Sequence, residues 1–494
     1  MSSSANPSFH ARSLTAPGAR ATAPESVPQP AWLDAEGRIL PLLDVVGAGL
    51  PVPLVDGPAV PYANLDYAAS APALRSVADR VADVLPYYSS VHRGAGYASQ
   101  VSTALYEGAR ERIGRFLGAR QDDVVVVVRN TTDALNLLAS AVPARAGGSD
   151  AAAGASEVVF LDVEHHANLL PWLSGPHRCV RAADSLAQTL VRLDEALAER
   201  PAALVAITGC SNVSGELLPL AELVAIAHLR GARIAVDAAQ LAPHRRIDLA
   251  ASGIDYVALS GHKLYAPFGA GVLVGRRDWL DASPAYLAGG GAVREVAVVA
   301  TQWAPAPQRH EGGTPNVLGA VALAAACDAV AGLPDGALNA HEAALTQRLV
   351  EGLATLDGIE VLRIWPDSSD RAGVVGFTVT GKDPGRVAAY LSAEHGVGVR
   401  DGRFCAHPLL ERLGHGGRGG GALRASLGVG SGSDDVDRLV GALEQLLLRG
   451  ERWEYALADG RWAPSPDPRP TAAVLRAWAA GAGPSGSGTS ACQG

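Results

Sequence analysis

The sequence predicts an α/β fold with a buried, mostly parallel sheet, followed by a smaller α+β region. Short apolar runs recur between residues 123 and 275, and helical stretches lie between them. Strands that are apolar at successive positions are typical of a parallel sheet with helices on both faces. A second alternation of helices and strands follows residue 320, and 494 residues suffice for two domains. We therefore predict two structured regions with an extension at each end.

The first region is predicted from apolar runs that end at polar residues. Its strands are predicted at residues 123–129, 157–162, 203–208, 233–237, 256–259 and 272–275. Helices are predicted between them at residues 131–140, 185–199 and 220–230. Gly231 is placed to end the last of these helices, because glycine readily adopts the left-handed conformation of a C-cap.

The second region begins with a long alanine-rich helix after residue 320. The elements predicted to follow are helix 341–356, strand 374–380, helix 385–395, strand 398–400 and helix 433–449. We divide the chain into an N-terminal extension (1–58), a large α/β domain (59–320), a small α+β domain (321–450) and a C-terminal extension (451–494). Residues 1–31 and 484–494 are rich in small and turn-forming residues and are predicted to be disordered.

The composition argues against several classes of function. A net charge of −9 and a pI near 5.8 give no basic surface for nucleic acid or anionic lipid. No apolar run reaches the length of about 18 residues that a membrane span needs, and no secretory signal is recognisable. The first 24 residues lack acids, as in a transit peptide, but their prolines favour a disordered tail.

The five cysteines include no CxxC pair. This pattern argues against a disulfide framework and against a structural zinc site, and we predict no metal. It indicates a reducing compartment, which we expect to be the cytoplasm.

Lysine is rare in this chain: Lys263 and Lys382 are two among 41 lysines and arginines. A lysine amine can lose its proton and form an imine with a carbonyl, whereas arginine stays protonated in proteins. Lys263 is therefore a candidate for a position where arginine cannot replace lysine. A genome composition that favours arginine explains the scarcity equally well, and Lys382 fits a turn after a strand.

Three predicted strands end at residues that suit a cofactor, and ligands of open α/β sheets bind at the carboxyl ends of strands. Thr131 and Thr132 begin a helix, where free N–H groups suit a phosphate or where a threonine simply caps the helix. Asp237 ends a second strand with Gln240 just beyond it, and Lys263 follows a third strand. Pyridoxal phosphate requires an acid that keeps its ring nitrogen protonated and a lysine that holds its aldehyde.

Nine short motifs then occur in one order along the chain. They are Leu65-Asp66-Tyr67-Ala68-Ala69-Ser70, Val91-His92-Arg93-Gly94, Asn130-Thr131-Thr132, Glu164-His165-His166-Ala167-Asn168, Ser211-Asn212-Val213-Ser214-Gly215, Val236-Asp237-Ala238-Ala239-Gln240, Ser260-Gly261-His262-Lys263-Leu264-Tyr265, Gly312-Gly313-Thr314-Pro315-Asn316 and Arg424-Ala425-Ser426-Leu427. From about residue 62 to 449 the chain resembles the class V aminotransferase family of fold-type I enzymes, in particular its cysteine desulfurase and selenocysteine lyase branch. The resemblance implies a pyridoxal 5'-phosphate cofactor, a homodimer and a large domain with a mostly parallel seven-stranded sheet.

The resemblance also implies how the cofactor is held. Lys263 would bind the aldehyde as an imine and move the Cα proton of the substrate. Asp237 would pair with the ring nitrogen, Gln240 would bind the ring hydroxyl, and His165 would stack on the ring and act as an acid or base. The other implied cofactor contacts are Thr132, Ser260 and His262 at the phosphate, Thr314 of the partner subunit at the same phosphate, and Asn212 near the ring.

The substrate contacts implied by the resemblance centre on Arg424. Its guanidinium would bind the substrate carboxylate through two parallel hydrogen bonds, which lysine cannot form. The other implied substrate contacts are Asn212, Ala69, His92 and Arg93.

The nucleophile implied by the resemblance is Cys405, which lies in the cysteine segment (residues 399–409). Arg400, Arg403 and His407 lie close to it in sequence and would favour the thiolate. The implied enzyme is a pyridoxal-phosphate-dependent cysteine desulfurase. It would convert L-cysteine to L-alanine and leave the sulfur on Cys405 as a persulfide for an acceptor protein.

The cysteine segment also departs from the family pattern. Asp401, Arg403 and Phe404 stand where the family usually has threonine and histidines, and a glycine-rich stretch follows at residues 414–421. An alternative is therefore another enzyme of the family, such as a C–S lyase, selenocysteine lyase, epimerase or aminotransferase, in which Cys405 is not catalytic. A third possibility is an inactive scaffold that binds a sulfur carrier. Residues 451–480 could bind an acceptor or cover the small domain.

Overall fold

The computed structural model describes residues 30–143, 156–417 and 420–481. The segments predicted to be disordered, 1–31 and 484–494, lie outside these residues except for residues 30 and 31. Within the described ranges no helix is long and apolar enough to cross a membrane.

The elements are numbered along the chain. The α-helices are α1 (Arg75–Val84), α2 (Tyr97–Phe116), α3 (Thr131–Ala141), α4 (Leu186–Glu199), α5 (Leu220–Leu229), α6 (Leu249–Ser252), α7 (Arg277–Ala282), α8 (Val317–Ala331), α9 (Ala337–Ala354), α10 (Pro384–His395), α11 (His407–Arg412), α12 (Ser433–Arg449) and α13 (Ala473–Gly481). Single 3-10 turns occur at Leu85–Tyr87, His166–Asn168, Leu170–Ser174 and Gln308–His310.

The strands follow the same numbering. They are β1 (Pro51–Val52), β2 (Val60–Pro61), β3 (Ala63–Asn64), β4 (Asp123–Val128), β5 (Val158–Leu161), β6 (His177–Val180), β7 (Leu204–Thr208), β8 (Arg233–Asp237), β9 (Tyr256–Ser260), β10 (Gly271–Arg276), β11 (Val293–Ala297), β12 (Ala300–Trp303), β13 (Ile359–Val361), β14 (Val374–Val379), β15 (Val397–Gly398), β16 (Arg400–Gly402), β17 (Ala422–Ser426), β18 (Tyr455–Ala458) and β19 (Arg461–Pro464).

The large sheet has seven strands in the order β4-β10-β9-β8-β7-β5-β6. The pairs among β9, β8, β7, β5 and β6 are parallel, and β10 runs antiparallel to both β9 and β4. The predicted α/β fold with a mostly parallel seven-stranded sheet is therefore confirmed. The apolar runs did not reveal the direction of β10, because strands buried on both faces look alike in either direction.

The apolar runs are continuous because each central strand of the sheet contributes side chains to a buried cluster on both of its faces. In β5, Val159 and Leu161 belong to one buried cluster, whereas Val158 and Phe160 belong to the cluster on the opposite face. Successive side chains of a strand point to opposite faces, so a sheet covered on both sides needs apolar residues at every position.

A second, antiparallel sheet has the order β13-β14-β17-β16 and packs against α9, α10 and α12 around its own core. The strand predicted at 398–400 is split, because β15 pairs with β3 and β16 pairs with β17. Arg400 thereby lies directly across from Arg424. The division of the chain at residues 59, 321 and 451 stays a prediction.

Residues 451–481 contribute a hairpin of β18 and β19 and the exposed helix α13. The hairpin packs on α10. The buried carboxylate of Glu394 in α10 accepts hydrogen bonds from the backbone N–H groups of Arg452 and Trp453 and from the hydroxyl of Tyr455. This carboxylate therefore holds the start of the C-terminal segment against α10, next to the core of the antiparallel sheet.

Candidate active site

A cavity of about 450 Å³ lies at the carboxyl ends of β8 and β9, bounded on its other side by β16 and β17. The predicted site residues that line it are Lys263, Asp237, Gln240, His165, Thr132, Ser260, His262, Asn212, Arg424, Ala69 and Cys405. Residues from distant parts of the sequence therefore meet in one cavity.

Two adjacent strands position the lysine and the aspartate. β8 ends at Asp237, β9 ends at Ser260, and Lys263 follows in the next turn. Burial lowers the pKa of Lys263 to about 8, against the opposing effect of the Asp237 carboxylate. A substantial fraction of this amine is therefore neutral near physiological pH, as a nucleophilic amine must be.

Asp237 and Gln240 present acceptors that suit the polar atoms of a pyridine ring. Asp237 is 4% exposed and accepts the backbone N–H of Ala239 at 2.9 Å. Burial raises the pKa of its carboxyl, while that N–H and Lys263 lower it. Gln240 donates through Nε2 to the carbonyl of Ala68 at 2.6 Å, and its buried Oε1 has no partner in the described structure. A protonated ring nitrogen and a ring hydroxyl would satisfy these two groups.

The N-terminus of α3 forms one end of the cavity. Asn130 caps this helix by accepting the backbone N–H of Asp133, so the threonines are not the cap. Thr131 and Ser260 share a hydrogen bond of 2.7 Å between their hydroxyls, which joins α3 to β9. Thr132 lies exposed in the first helical turn and lines the cavity. Because Asn130 already caps the helix, the hydroxyls and the helix N–H groups at this place favour a phosphate site over a simple threonine cap.

His165 lies against the cavity with its ring orientation fixed. Its Nδ1 accepts the backbone N–H of Ala167 at 3.0 Å. Burial, and to a smaller extent the charge of Lys263, lower its pKa to about 3. The ring is therefore neutral, with its proton on Nε2.

Arg424 is the buried cation of the cavity, with 3% of its surface exposed. Its Nη1 donates to the carbonyl of Asn212 at 3.0 Å, and its Nη2 donates to the Asp66 carboxylate at 3.1 Å. Its Nε is buried without a partner in the described structure. Burial lowers the pKa of Arg424, while Asp66 raises it. A guanidinium with an unused donor beside a cavity can bind a carboxylate.

Cys405 is exposed and lines the cavity from the cysteine segment. Its carbonyl accepts the backbone N–H of His166 at 2.8 Å. Of the basic residues expected to favour its thiolate, Arg400 also lines the cavity. Arg403 donates to the carbonyl of Gly417, and the His407 ring packs against the His166 ring.

Three predicted site residues lie outside this cavity. His92 pairs with Glu107 at 2.8 Å. Arg93 lies close to Gly291. Thr314 is exposed in the segment before α8. Their roles stay predictions.

Sequence reasoning assigned no role to several residues that line the cavity or touch its side chains. Asp66 belongs to one of the nine motifs, but nothing in the sequence indicates its ion pair with Arg424. Cys210 lines the cavity, and burial raises the pKa of its thiol strongly. Phe404 departs from the family pattern, and its ring lies beneath the Arg424 guanidinium.

The chain is similar to known proteins over most of its length. The family model of class-V aminotransferases matches residues 63–439. The chain is 36% identical over 412 residues to a cysteine desulfurase of Dickeya dadantii, covering 82% of this chain and 96% of the relative. It is 34% identical over 415 residues to a probable cysteine desulfurase of Vibrio cholerae, covering 82% of this chain and 98% of the relative.

Two solved structures of similar proteins also superpose on it. The cysteine desulfurase CsdA of Escherichia coli matches with a TM-score of 0.68 and 31% identity, over 78% of this chain and 94% of that chain. The cysteine desulfurase of Thermococcus onnurineus matches with a TM-score of 0.70 and 30% identity, with the same two coverages.

Proposed function

The chain belongs to the class-V aminotransferase family, and on this premise we propose that it is a pyridoxal-phosphate-dependent cysteine desulfurase. It converts L-cysteine to L-alanine and retains the substrate sulfur on Cys405 as a persulfide. One observation carries the proposal: Lys263, Asp237, Arg424 and Cys405 line a single cavity. The similarity to cysteine desulfurases over most of the chain supports the choice of substrate.

The cavity fits the cofactor at both of its ends. The buried Asp237 carboxylate suits the ring nitrogen, and Oε1 of Gln240, which has no partner among the described residues, suits the ring hydroxyl. Thr132, Ser260 and His262 surround the place of the phosphate at the N-terminus of α3. When bound, pyridoxal phosphate supplies an electron sink for the bonding electrons of the substrate Cα.

Lys263 is the residue that moves protons at the substrate. Its pKa of about 8 allows a neutral Nζ to take the Cα proton and an ammonium to return one. His165 holds the ring face and offers its Nε2–H as a hydrogen-bond donor. We therefore assign it positioning rather than the acid–base role that the resemblance implies.

Arg424 binds and orients the substrate carboxylate. Its contacts with Asn212 and Asp66 hold the guanidinium plane, and its Nε has no partner among the described residues and is left for the carboxylate. A carboxylate bound there directs the Cβ and sulfur of L-cysteine toward the Cys405 side. Orientation of this kind places the reacting atoms together before the chemical step.

Sulfur transfer takes place at Cys405. Its thiolate attacks the substrate sulfur, a new S–S bond forms, and the substrate Cβ–S bond breaks. The electron pair of the broken bond stays on the carbon side, where two protonations complete L-alanine, one at Cβ and one at Cα. The substrate sulfur is oxidised to the persulfide level as Cβ is reduced, so no external oxidant is required.

We further propose a homodimer in which Thr314 contacts the phosphate in the partner's cavity. Thr314 is exposed and lies outside the cavity of its own chain, which supports this arrangement. The exposed position of Cys405 supports onward transfer of sulfur to an acceptor protein. The described cysteines are free thiols, as a reducing, cytoplasmic location requires.

Two cysteine variants test the proposal. Purified protein with pyridoxal phosphate, L-cysteine and a thiol reductant should form L-alanine and sulfide in equal amounts. Cys405→Ala should abolish both products, whereas Cys179→Ala, which removes another exposed thiol, should form them at the wild-type rate. Undiminished L-alanine and sulfide from Cys405→Ala would rule out a persulfide on Cys405, whereas pyruvate and ammonia in place of L-alanine would favour a C–S lyase in which Cys405 is not catalytic.

A further inference from the structure

Phe404 and Cys405 form an unusual pair in the backbone. Both are non-glycine residues with positive φ, 52° and 53° respectively. L-amino acids rarely adopt this left-handed conformation, and two consecutive residues hold it only when their surroundings impose it. The contacts around this pair therefore determine where the Cys405 thiol points.

The carbonyl groups of both residues are held by partners from the large-sheet region. Asn212 Nδ2 donates to the carbonyl of Phe404 at 2.7 Å. The backbone N–H of His166 donates to the carbonyl of Cys405 at 2.8 Å. The amide of Asn212 is thus used on the cysteine segment, although the resemblance places this residue near the ring and substrate.

The ring of Phe404 connects the same segment to Arg424. The guanidinium carbon lies 5.2 Å from the ring centroid, and Phe404 is only 6% exposed. Attraction between a cation and an aromatic face is strengthened when both are withdrawn from water. Because Nη1 of Arg424 also donates to the carbonyl of Asn212, the three residues contact one another in a closed triangle.

We infer that Phe404 is a positioning residue that couples the carboxylate-binding Arg424 to the conformation of Cys405; this rests on the proposed function. A carboxylate that enters the cavity accepts from Nε of Arg424, which has no partner among the described residues, while Asn212 and Asp66 keep their contacts with Nη1 and Nη2. The guanidinium then shifts over the Phe404 ring, and the shift reaches Cys405 through one peptide bond. Substrate binding thereby sets the position of the nucleophile.

Alkylation of Cys405 measures this coupling without turnover. The holoenzyme is treated with iodoacetamide, with and without saturating L-alanine, whose binding is followed by cofactor absorbance. Peptide mass spectrometry gives the rate at Cys405 relative to the exposed Cys179 in the same sample. L-Alanine carries the carboxylate but no sulfur, and it should change the rate ratio by about fivefold or more.

Phe404→Leu keeps the apolar character of the side chain but removes the aromatic face. In this variant L-alanine should still bind but should change the ratio of alkylation rates by less than about twofold. Phe160→Leu makes the same change in the core of the large sheet and should respond as the wild type does. A full response in Phe404→Leu, or none in the wild type, overturns the inference.

A double-mutant cycle on the holoenzyme gives a second measurement that needs no added ligand. Arg424→Lys should change the alkylation ratio in the wild-type background and leave it unchanged in Phe404→Leu. Additive effects of the two substitutions overturn the coupling. A wild type that shows the coupling but forms no persulfide from L-cysteine contradicts the proposed function instead, so the two failures are distinguishable.

Discussion

Nδ1 of His165 accepts the backbone N–H of Ala167 at 3.0 Å, and this contact leaves Nε2 as the only nitrogen that can carry the ring proton. The adjacent Lys263 and the burial of the ring both disfavour a second proton. The histidine beside the cavity is therefore a fixed, neutral hydrogen-bond donor.

The first prediction concerns the pH dependence of activity. Because burial lowers the pKa of His165 to about 3, the ring stays neutral throughout the range from pH 5 to 8. His165→Asn should lower kcat/KM for L-cysteine but keep the shape of its pH profile over this range. An acidic limb between pH 6 and 7 that disappears in His165→Asn would contradict the assignment.

The second prediction uses the two lysines of the chain. Treatment of the apoprotein with pyridoxal phosphate, followed by borohydride reduction, should label Lys263 and spare Lys382. Lys263→Arg should abolish the lysine label, and Lys382→Arg is the matched control that should retain it. Peptide mapping measures both, and a label on Lys382 in place of Lys263 would refute the cofactor assignment.

The same labelling reaction tests the depressed pKa of Lys263. Since only the neutral amine reacts, a pKa of about 8 predicts that the labelling rate rises about tenfold per pH unit below pH 8 and levels off above it. A rate that keeps rising beyond pH 10, as for an exposed lysine, would show that the amine is not desolvated.

The third prediction concerns the substrate clamp. Arg424→Lys keeps the charge but cannot bond Asn212, Asp66 and a carboxylate together, so KM for L-cysteine should rise by about 10- to 100-fold. This range corresponds to the loss of one charged hydrogen bond, about 1.5–3 kcal/mol. Arg230→Lys alters a surface ion pair with Asp194 and should leave KM unchanged. An unchanged KM in Arg424→Lys would place carboxylate binding elsewhere.

The fourth prediction concerns the C-terminal segment. Glu394→Ala removes the buried acceptor of Arg452, Trp453 and Tyr455 and should lower the free energy of unfolding by about 3 kcal/mol or more. Urea denaturation measures the change, and limited proteolysis should cut residues 451–481 faster than in the wild type. Glu444→Ala on the exposed face of α12 is the control. Equal stability of the two variants would mean that the segment is not held by Glu394.

The strand ends were predictable because they depend on local sequence. The strand predicted at residues 233–237 is β8 as observed, and the start of β9 was also found. An apolar run fixes where a buried strand lies, and the polar residue that follows it must lie at the sheet edge. The sequence alone therefore predicts that Asp237 and Lys263 lie close together.

The contacts that tune the site were not predictable, because they join residues far apart in sequence. Arg424 donates a hydrogen bond to Asp66, which lies 358 residues away in the sequence, and Asn212 donates one to Phe404, which lies 192 residues away. Neither pair has a periodicity or spacing that reveals it. The edge strand β6 was missed for a different reason, since it begins with His177 and Arg178 and therefore contains no apolar run.

Mass spectrometry of the peptide that contains Cys405 tests the central claim most directly. The holoenzyme is mixed with L-cysteine without reductant, alkylated and digested, and the Cys179 peptide from the same digest is the internal control. Transfer of sulfur to Cys405 predicts one added sulfur atom on the Cys405 peptide, none on the Cys179 peptide, and one L-alanine per persulfide formed. L-Alanine production with an unmodified Cys405 would contradict it.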